Sequence, residues 1–148
     1  MLKYTEHFTE EELIKSETAK KLKINNTPTA KVRGFLILLC KNCLEIIREH
    51  YNKPVIITSG YRSPELNKVI GGVSTSQHSK GQAADFIIRG ISIAEIVEWC
   101  RNNLVFDQLI NEKNQWVHIS YNPECNRKQV LFFNGKTFPN FLIFHKTR

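Results

Sequence analysis

The sequence lacks any long apolar run, and this bounds the class of protein. A membrane-spanning helix needs about 18 consecutive apolar residues, and no such stretch occurs among the 148 residues. The opening segment, MLKYTEHFTEEEL, also lacks the apolar central region of a secretory signal, so we expect a soluble chain made in the cytoplasm. Internal repeats, low-complexity tracts and linker-like segments are absent too. The length then predicts a single domain over residues 1–148, and we expect it to be a monomer.

Cysteine is also scarce. The four cysteines are too few and too scattered for the disulfide framework of a small secreted protein. Cys40 and Cys43 form a Cys-x-x-Cys pair, but they lie within FLILLCKNCLEII, which is typical of a buried helix. A redox or zinc-binding pair of this type needs a second pair or a loop setting, and neither is present. We therefore predict that both are ordinary core thiols.

The formal net charge of +7 points to no particular partner. The basic residues are spread over the whole chain, and no signature of a nucleic-acid-binding fold accompanies them. Such a charge gives a modest attraction to anionic polymers, including nucleic acid and bacterial wall polymers. It is equally explained by solubility alone. We therefore do not expect nucleic acid as a partner.

Helix signals dominate the first part of the chain. Thr9 and Glu12 form a capping box at the start of a short helix, which the segment Asn25–Pro28 ends. Thr27 is predicted to cap a longer helix with Pro28 at its first position. Two further helix starts are indicated at Ser63, followed by Pro64, and at Ser92, which stands three residues before Glu95.

Strand signals cluster in the later part. The predicted strands are the segments PVIIT, AADFII, VFDQLI, WVHISY, QVLFF and FLIF. Asn134-Gly135 between the last two is the signal of a tight hairpin. Helices first and strands afterwards predict an α+β fold, in which helices flank an antiparallel sheet on one side. The other face of such a sheet is free to hold a site.

The alternation of residues in two strands predicts which side chains share that free face. In WVHIS, His118 lies on the same side as Trp116 and Ser120, while the two apolar residues between them suit the core. Asp85 is the one polar residue of AADFI, where both faces are otherwise apolar. A carboxylate in that setting should be paired or bound to a cation, because burying it unpaired is costly.

His78, Asp85 and His118 together would supply two nitrogens and one carboxylate. This set suits zinc, which takes three protein ligands in catalytic sites and leaves one position for water. Magnesium and calcium prefer shells made of oxygen alone. The spacing of His78 and Asp85 is not diagnostic, so these residues by themselves fit a metal site and a hydrogen-bonded polar cluster equally well.

The wider motifs resemble the zinc D-alanyl-D-alanine carboxypeptidases of the M15 peptidase family, in particular the short single-domain members of phages and bacteria. The upstream YRS motif is matched by Arg62, and the W-x-H strand by Trp116 and His118. The resemblance extends over most of the chain, including the FTEEEL opening. It implies the fold shared with lysostaphin-type peptidases and the hedgehog signalling domain. The family pattern S-x-H-x-x-G-x-A-x-D is met by Ser76, His78, Gly81, Ala83 and Asp85.

The resemblance implies roles for these residues. His78, Asp85 and His118 would bind Zn²⁺, which would polarise the scissile carbonyl and activate a water molecule. Arg62 would hold or stabilise the carbonyl or carboxylate of the substrate as negative charge develops, and Ser76 would donate a hydrogen bond near the metal. Gly81 would permit the backbone turn between the first two ligands.

One departure concerns the general base. Many members of the family carry an acidic residue three positions before the last histidine, and this chain has Gln115 there, which cannot accept a proton. Glu112 lies in the predicted turn before WVHIS and is our candidate for the base. Asp107 is a further candidate, although its place in FDQLI also suits a polar residue at a strand end.

The function expected from the resemblance is a zinc metallopeptidase that hydrolyses peptide bonds of peptidoglycan stem peptides, as a D-Ala-D-Ala carboxypeptidase or an endolysin-type peptidase. A lysis enzyme of phage or prophage origin would accumulate in the cytoplasm and act on the cell wall after release. The alternative, suggested by Gln115, is a zinc-containing module that binds wall peptides with weak or no catalysis. A nucleic-acid-associated protein is the least supported hypothesis.

Overall fold

The computed structural model of the protein describes residues 2–134 and the backbone of residues 141–145. Its strands are β1 Lys3–Thr5, β2 Phe8–Thr9, β3 Ile56–Ser59, β4 Ala83–Ile87, β5 Gln108–Glu112, β6 Trp116–Ser120, β7 Gln129–Phe133 and β8 Phe141–His145. Its α-helices are α1 Glu10–Ile14, α2 Glu17–Leu22, α3 Ala30–Leu39, α4 Glu45–Tyr51, α5 Pro64–Val69 and α6 Ile93–Asn103. A π-helical turn, Cys40–Leu44, joins α3 to α4, and a 3₁₀ turn, Gln77–Lys80, precedes β4. The predicted Asn-Gly hairpin turn lies outside the described residues.

The N-terminal capping box forms as predicted. The backbone N–H of Glu12 donates to Oγ1 of Thr9 over 3.3 Å, and the backbone N–H of Thr9 donates to the Glu12 carboxylate over 3.0 Å. The chain before Asn25 makes two helices, because Ser16 interrupts it and caps α2 through the N–H of Ala19. Together these short helices cover one end of the core.

The predicted start of α3 is wrong by two residues. Thr29, not Thr27, caps this helix, since its Oγ1 accepts from the backbone N–H of Val32 over 3.2 Å. The N–H of Thr27 instead donates to the side-chain oxygen of Asn25 over 2.9 Å, which closes a local turn. Pro28 therefore lies before the helix rather than at its first position.

One sheet organises the fold, with its six strands in the order β3-β4-β6-β5-β7-β8. All neighbours are antiparallel except β5 and β7, which run parallel. The last residue of β6, Ser120, lies beside the start of β5, because the N–H of Asp107 donates to its carbonyl. After a loop, β7 begins beside Gln108 and runs in the same direction as β5. The α+β class is confirmed, and the sheet is mixed at this one pair.

The core lies between one face of the sheet and the helices. Ala84 and Phe86 of β4, with Val117 and Ile119 of β6, are fully buried on that face. Cys40 and Cys43 are buried free thiols of the π-helical turn, as expected of core cysteines. No helix within the described residues has the length and apolarity needed to cross a membrane. The opposite face carries Asp85 and His118.

Candidate metal centre and groove

Strand pairing brings Asp85 and His118 together. They are direct partners in the register of β4 and β6, and the Nδ1 atom of His118 lies 2.9 Å from Oδ1 of Asp85. Both side chains are mostly buried, with exposed fractions of 12% and 13%. The faces predicted from the alternation in WVHIS and AADFI are therefore the observed ones.

His78 reaches the same point from the 3₁₀ turn. The hydroxyl of Ser76 caps this turn by accepting from the backbone N–H of His78 over 3.2 Å. On the ring, Nδ1 lies 2.8 Å from the carbonyl oxygen of Gly60, so Nδ1 must carry the proton and donate. The other ring nitrogen, Nε2, lies 3.4 Å from Oδ1 of Asp85. Nε2 is thus left free to bind a ligand, as is usual for metal-binding histidines.

Gly81 makes the bend between His78 and Asp85. It ends the 3₁₀ turn with φ of 77°, in the left-handed region, and its N–H donates back to the turn. A Cβ atom there would lie 2.8 Å from both the carbonyl oxygen and Cγ1 of Val32 in α3. Glycine is therefore required for its conformation and for its size.

His78, Asp85 and His118 form a group that can hold a metal ion. One ligand atom from each lies within 4.8 Å of the other two, and all three side chains converge from different elements. Two imidazoles and one carboxylate suit zinc better than magnesium or calcium. The hydrogen bond from His78 to Gly60 also supplies the outer contact that orients a ligating ring. The residues present therefore fit a zinc ion.

Burial and charge act in opposite directions on this group. Burial raises the pKa of Asp85, but the hydrogen bonds and electrostatic interactions with His118 and His78 outweigh it and hold that pKa well below its usual range. Burial lowers the pKa of His78 more than the neighbouring carboxylate raises it. Both shifts favour the forms that bind a metal, an ionised carboxylate and a neutral imidazole.

Arg62 lies next to this group. Its backbone N–H donates to the carbonyl of His78 over 3.1 Å, within the segment that includes Gly60. Burial lowers the pKa of the guanidinium, and the charge of Asp85 opposes that shift, so the two groups interact electrostatically. Arg62 also lines a cavity with Ser59 and Leu66, and its assignment to the site stays a prediction.

Glu112 lies on the site face at the end of β5. It is the register partner of Trp116, two positions along from the pair Ile110 and His118. Burial raises the pKa of the Glu112 carboxyl, and the charge of Asp85 adds to that, while His118 and Lys113 oppose it. A carboxyl with a raised pKa near a metal centre can accept a proton and release it again.

Asp107 is not available as a base. Its carboxylate accepts from the backbone N–H, Nε and Nη2 of Arg127 at 2.8–3.0 Å, and from Nε2 of Gln77 at 3.0 Å. Burial raises the pKa of Asp107, but these hydrogen bonds and the charge of Arg127 lower it overall. The carboxylate therefore joins the 3₁₀ turn to the loop after β6.

Gln115 is exposed in the turn between β5 and β6.

A groove of about 540 Å³ opens beside the metal-binding group. Three elements contribute its walls: the sheet face, the 3₁₀ turn and the loop after β6. Its lining includes His118 and Glu112, Ser76 and Gln77, and Asn122 and Arg127. Such side chains can bond to the N–H and C=O groups of a peptide.

Sequence reasoning missed Gln77 and Arg127, which bind the Asp107 carboxylate at the groove, and Asn67, whose Oδ1 accepts from the Arg62 guanidinium. Gln77 adjoins the predicted ligand His78, but its partner Asp107 is 30 residues away in the chain. Arg127 lies in a loop with no motif, and Asn67 occupies an ordinary position in α5. Their roles depend on contacts between elements that local patterns do not encode.

Comparison with known proteins adds one match. The sequence model of a protein family described as Peptidase M15 matches residues 6–120, which is more than half of the chain. A search of curated proteins found no match. The matched region contains His78, Asp85 and His118 together with Arg62 and Glu112.

Proposed function

The chain belongs to the peptidase M15 family, and on this premise we propose that it is a zinc-dependent peptidase of peptidoglycan stem peptides. The observation that carries the proposal is the convergence of His78, Asp85 and His118 beside an open groove. The bond cleaved would be a D-Ala-D-Ala or related junction, as the sequence motifs imply.

In this proposal His78, Asp85 and His118 hold the ion. Zinc, when bound, supplies Lewis-acid chemistry, which polarises a carbonyl and lowers the pKa of water. The backbone carbonyl of Gly60 keeps the His78 ring in the orientation that presents Nε2. The register of β4 and β6 fixes the positions of Asp85 and His118 relative to each other. The fold itself therefore organises the metal-binding group.

Glu112 and Arg62 supply the remaining chemistry. Glu112, which shares the groove with His118, would accept the proton of the attacking water and return it to the leaving amine. Arg62 would stabilise the negative charge that develops on the carbonyl oxygen. Ser76, at the groove wall, would contact the substrate as well as cap the 3₁₀ turn.

Peptidoglycan as the substrate class is implied by the sequence motifs. The groove supports a peptide substrate, because its lining includes amides and other side chains that bond to peptide groups. The net charge of +7 is compatible with anionic wall polymers but singles out no partner. Synthesis in the cytoplasm, action at the wall after release, and a phage or prophage lysis role belong to the same proposal.

Mass spectrometry of digested peptidoglycan tests this function. Purified sacculi would be incubated with the zinc-loaded protein and with His118→Ala. We expect stem-peptide products from the first sample only, and their masses would identify the bond. Intact sacculi with the zinc-loaded wild type would refute the proposal.

A second candidate, a zinc-containing module that binds wall peptides with weak catalysis, is favoured by one observation. Gln115 occupies the position where many family members carry the base, and it is exposed. Sedimentation with sacculi separates the candidates. Binding without product formation supports the module, whereas turnover that depends on Glu112 supports the enzyme.

A further inference from the structure

The guanidinium of Arg62 is held by a neutral group. Within residues 2–134 its single side-chain partner is Asn67, with Nη1 lying 3.3 Å from Oδ1, and it makes no ion pair. The Nε atom of Arg62 is buried and has no partner among the same residues. The cation is thus oriented by one amide oxygen, while its charge is not cancelled by direct contact with a carboxylate.

Asn67 is fixed in this orientation by its other contacts. The residue is 3% exposed, and its Nδ2 donates to the carbonyl of Val73 over 2.7 Å. Because Nδ2 is committed to Val73, the oxygen Oδ1 must face the opposite way, toward Arg62. The backbone of Asn67 makes two further hydrogen bonds, each 2.8 Å long. Its N–H donates to the carbonyl of Ser63, and its carbonyl accepts from the N–H of Gly72.

Gly72 leaves the space that this arrangement needs. A Cβ atom at Gly72 would lie 2.1 Å from Oδ1 of Asn67 and 3.2 Å from Nη1 of Arg62. A larger residue at this position would therefore displace the hydrogen bond itself. The backbone at Gly72 and the side chain of Asn67 therefore both lie close to the Arg62 guanidinium.

The choice of an amide has an electrostatic consequence. An aspartate at position 67 would form an ion pair with Arg62, and a paired charge interacts more weakly with a third group. A neutral oxygen orients the guanidinium but leaves its full charge to act on Asp85 and on a bound substrate. Asn67 can thus orient the Arg62 guanidinium without reducing the effect of its positive charge on neighbouring groups.

We propose that Asn67 is a positioning residue, which fixes the Arg62 guanidinium as an uncompensated positive charge next to the turn that carries His78. The inference rests on the proposed role of Arg62 in peptide hydrolysis. It assigns a function to a buried helix residue that does not touch the metal-binding group in the described contacts.

A double-mutant cycle tests this coupling. Asn67→Ala should lower kcat by about 10- to 100-fold, the range found for partners that orient active groups, with little change in KM. In an Arg62→Ala background the same substitution should lower kcat no further. An equal loss in both backgrounds would show that Asn67 is merely structural and overturn the inference. Asn103→Ala, which removes a helix asparagine bonded to the carbonyl of Trp99, is the matched control.

Asn67→Asp provides a second variant of nearly the same size, for the case that the alanine variant does not fold. It keeps an oxygen opposite the guanidinium but loses the Nδ2 donor to Val73, and it should lose kcat because the new carboxylate neutralises the guanidinium. Full kcat in a folded Asn67→Asp protein would refute the requirement for a neutral partner.

A readout without turnover separates this inference from the proposed function. In ¹⁵N-arginine-labelled protein, the side-chain signal of Arg62, assigned with Arg62→Lys, should be protected in the wild type and lose protection in Asn67→Ala. An inactive wild type would refute the peptidase proposal alone. An Arg62 signal that is unchanged in Asn67→Ala would refute the positioning role whatever the activity.

Discussion

Asp85 and His118 face each other across the β4–β6 pair, with Oδ1 and Nδ1 2.9 Å apart. Their proximity is imposed by backbone hydrogen bonding between two central strands, so it does not depend on a flexible loop. Only His78 comes from a turn, and that turn is fixed by Gly60 and Gly81. A site of this type is organised before it meets an ion, which reduces the conformational cost of binding.

Loss of a ligand should abolish tight metal binding. We expect about one zinc per chain in the wild type and an affinity lowered by more than about 100-fold in His118→Ala, beyond the loss typical of outer contacts. Competition with a chromophoric chelator measures this. His50→Ala is the control, because His50 stacks on Trp99 away from the site. Equal zinc affinity in His118→Ala and wild type would contradict the ligand assignment.

Replacement of Glu112 should separate chemistry from binding. Glu112→Gln keeps the size of the side chain but cannot take up a proton, so kcat on stem peptides should fall by about 10²- to 10⁴-fold. Zinc content and thermal stability should stay at wild-type values. Gln115→Ala, in the exposed adjoining turn, should retain activity. If Glu112→Gln turns over at the wild-type rate, the base lies elsewhere.

The ion pair of Asp107 should stabilise the fold in a pH-dependent way. The pKa of Asp107 is lowered in the folded state, so its stabilisation is complete above the unfolded value of about 3.9 and is lost as pH falls through the folded pKa. Asp107→Asn should cost about 1–3 kcal/mol at neutral pH, as expected for hydrogen bonds to a charged group. The substitution should also reduce the pH dependence of the unfolding free energy below about pH 4.

Urea unfolding across the acid range measures both effects of Asp107→Asn. Glu124→Gln removes an exposed carboxylate from the loop that contains Arg127, and it serves as the control. Parallel pH curves for Asp107→Asn and the wild type would argue against the assignment.

Alanine substitutions at two glycines with similar backbone angles separate the cost of backbone strain from the cost of steric crowding. Gly81 and Gly90 have φ of 77° and 87°, but an added Cβ has nothing within 4 Å at Gly90 and meets Val32 at 2.8 Å at Gly81. Both alanine variants should lose about 1–2 kcal/mol from the left-handed conformation. Gly81→Ala should lose more and should also weaken zinc binding, because it displaces the bend between two ligands. Equal unfolding free energies would mean that α3 yields to the methyl group.

Local patterns were sufficient to predict much of the site. Strand alternation placed His118 on the face opposite Val117, and the isolated carboxylate in an apolar strand drew attention to Asp85. Capping signals at Thr9 and Ser63 marked real helix starts because the bonds involved span only three residues. These features depend on neighbours in the chain, which the sequence displays directly.

Features that depend on distant partners could not be predicted in this way. Asp107 had the pattern of a strand-end carboxylate, and only its contact with Arg127, 20 residues later, removes it as a base. The parallel pairing of β7 with β5 depends on the path of the loop after Ser120. Thr27 and Thr29 are both good capping residues, and the bond from Thr27 to Asn25 decides between them.

The strand order also bears on solubility. The family match ends at residue 120, after β6, whereas β7 covers the outer edge of β5. A chain cut after Ser120 would expose that edge, with its unpaired N–H and C=O groups, as a template for intermolecular pairing. We expect such a chain to aggregate in light-scattering measurements while the full chain stays dispersed. We therefore expect β7 to protect the sheet from aggregation, although its described side chains contribute no ligand to the metal-binding group.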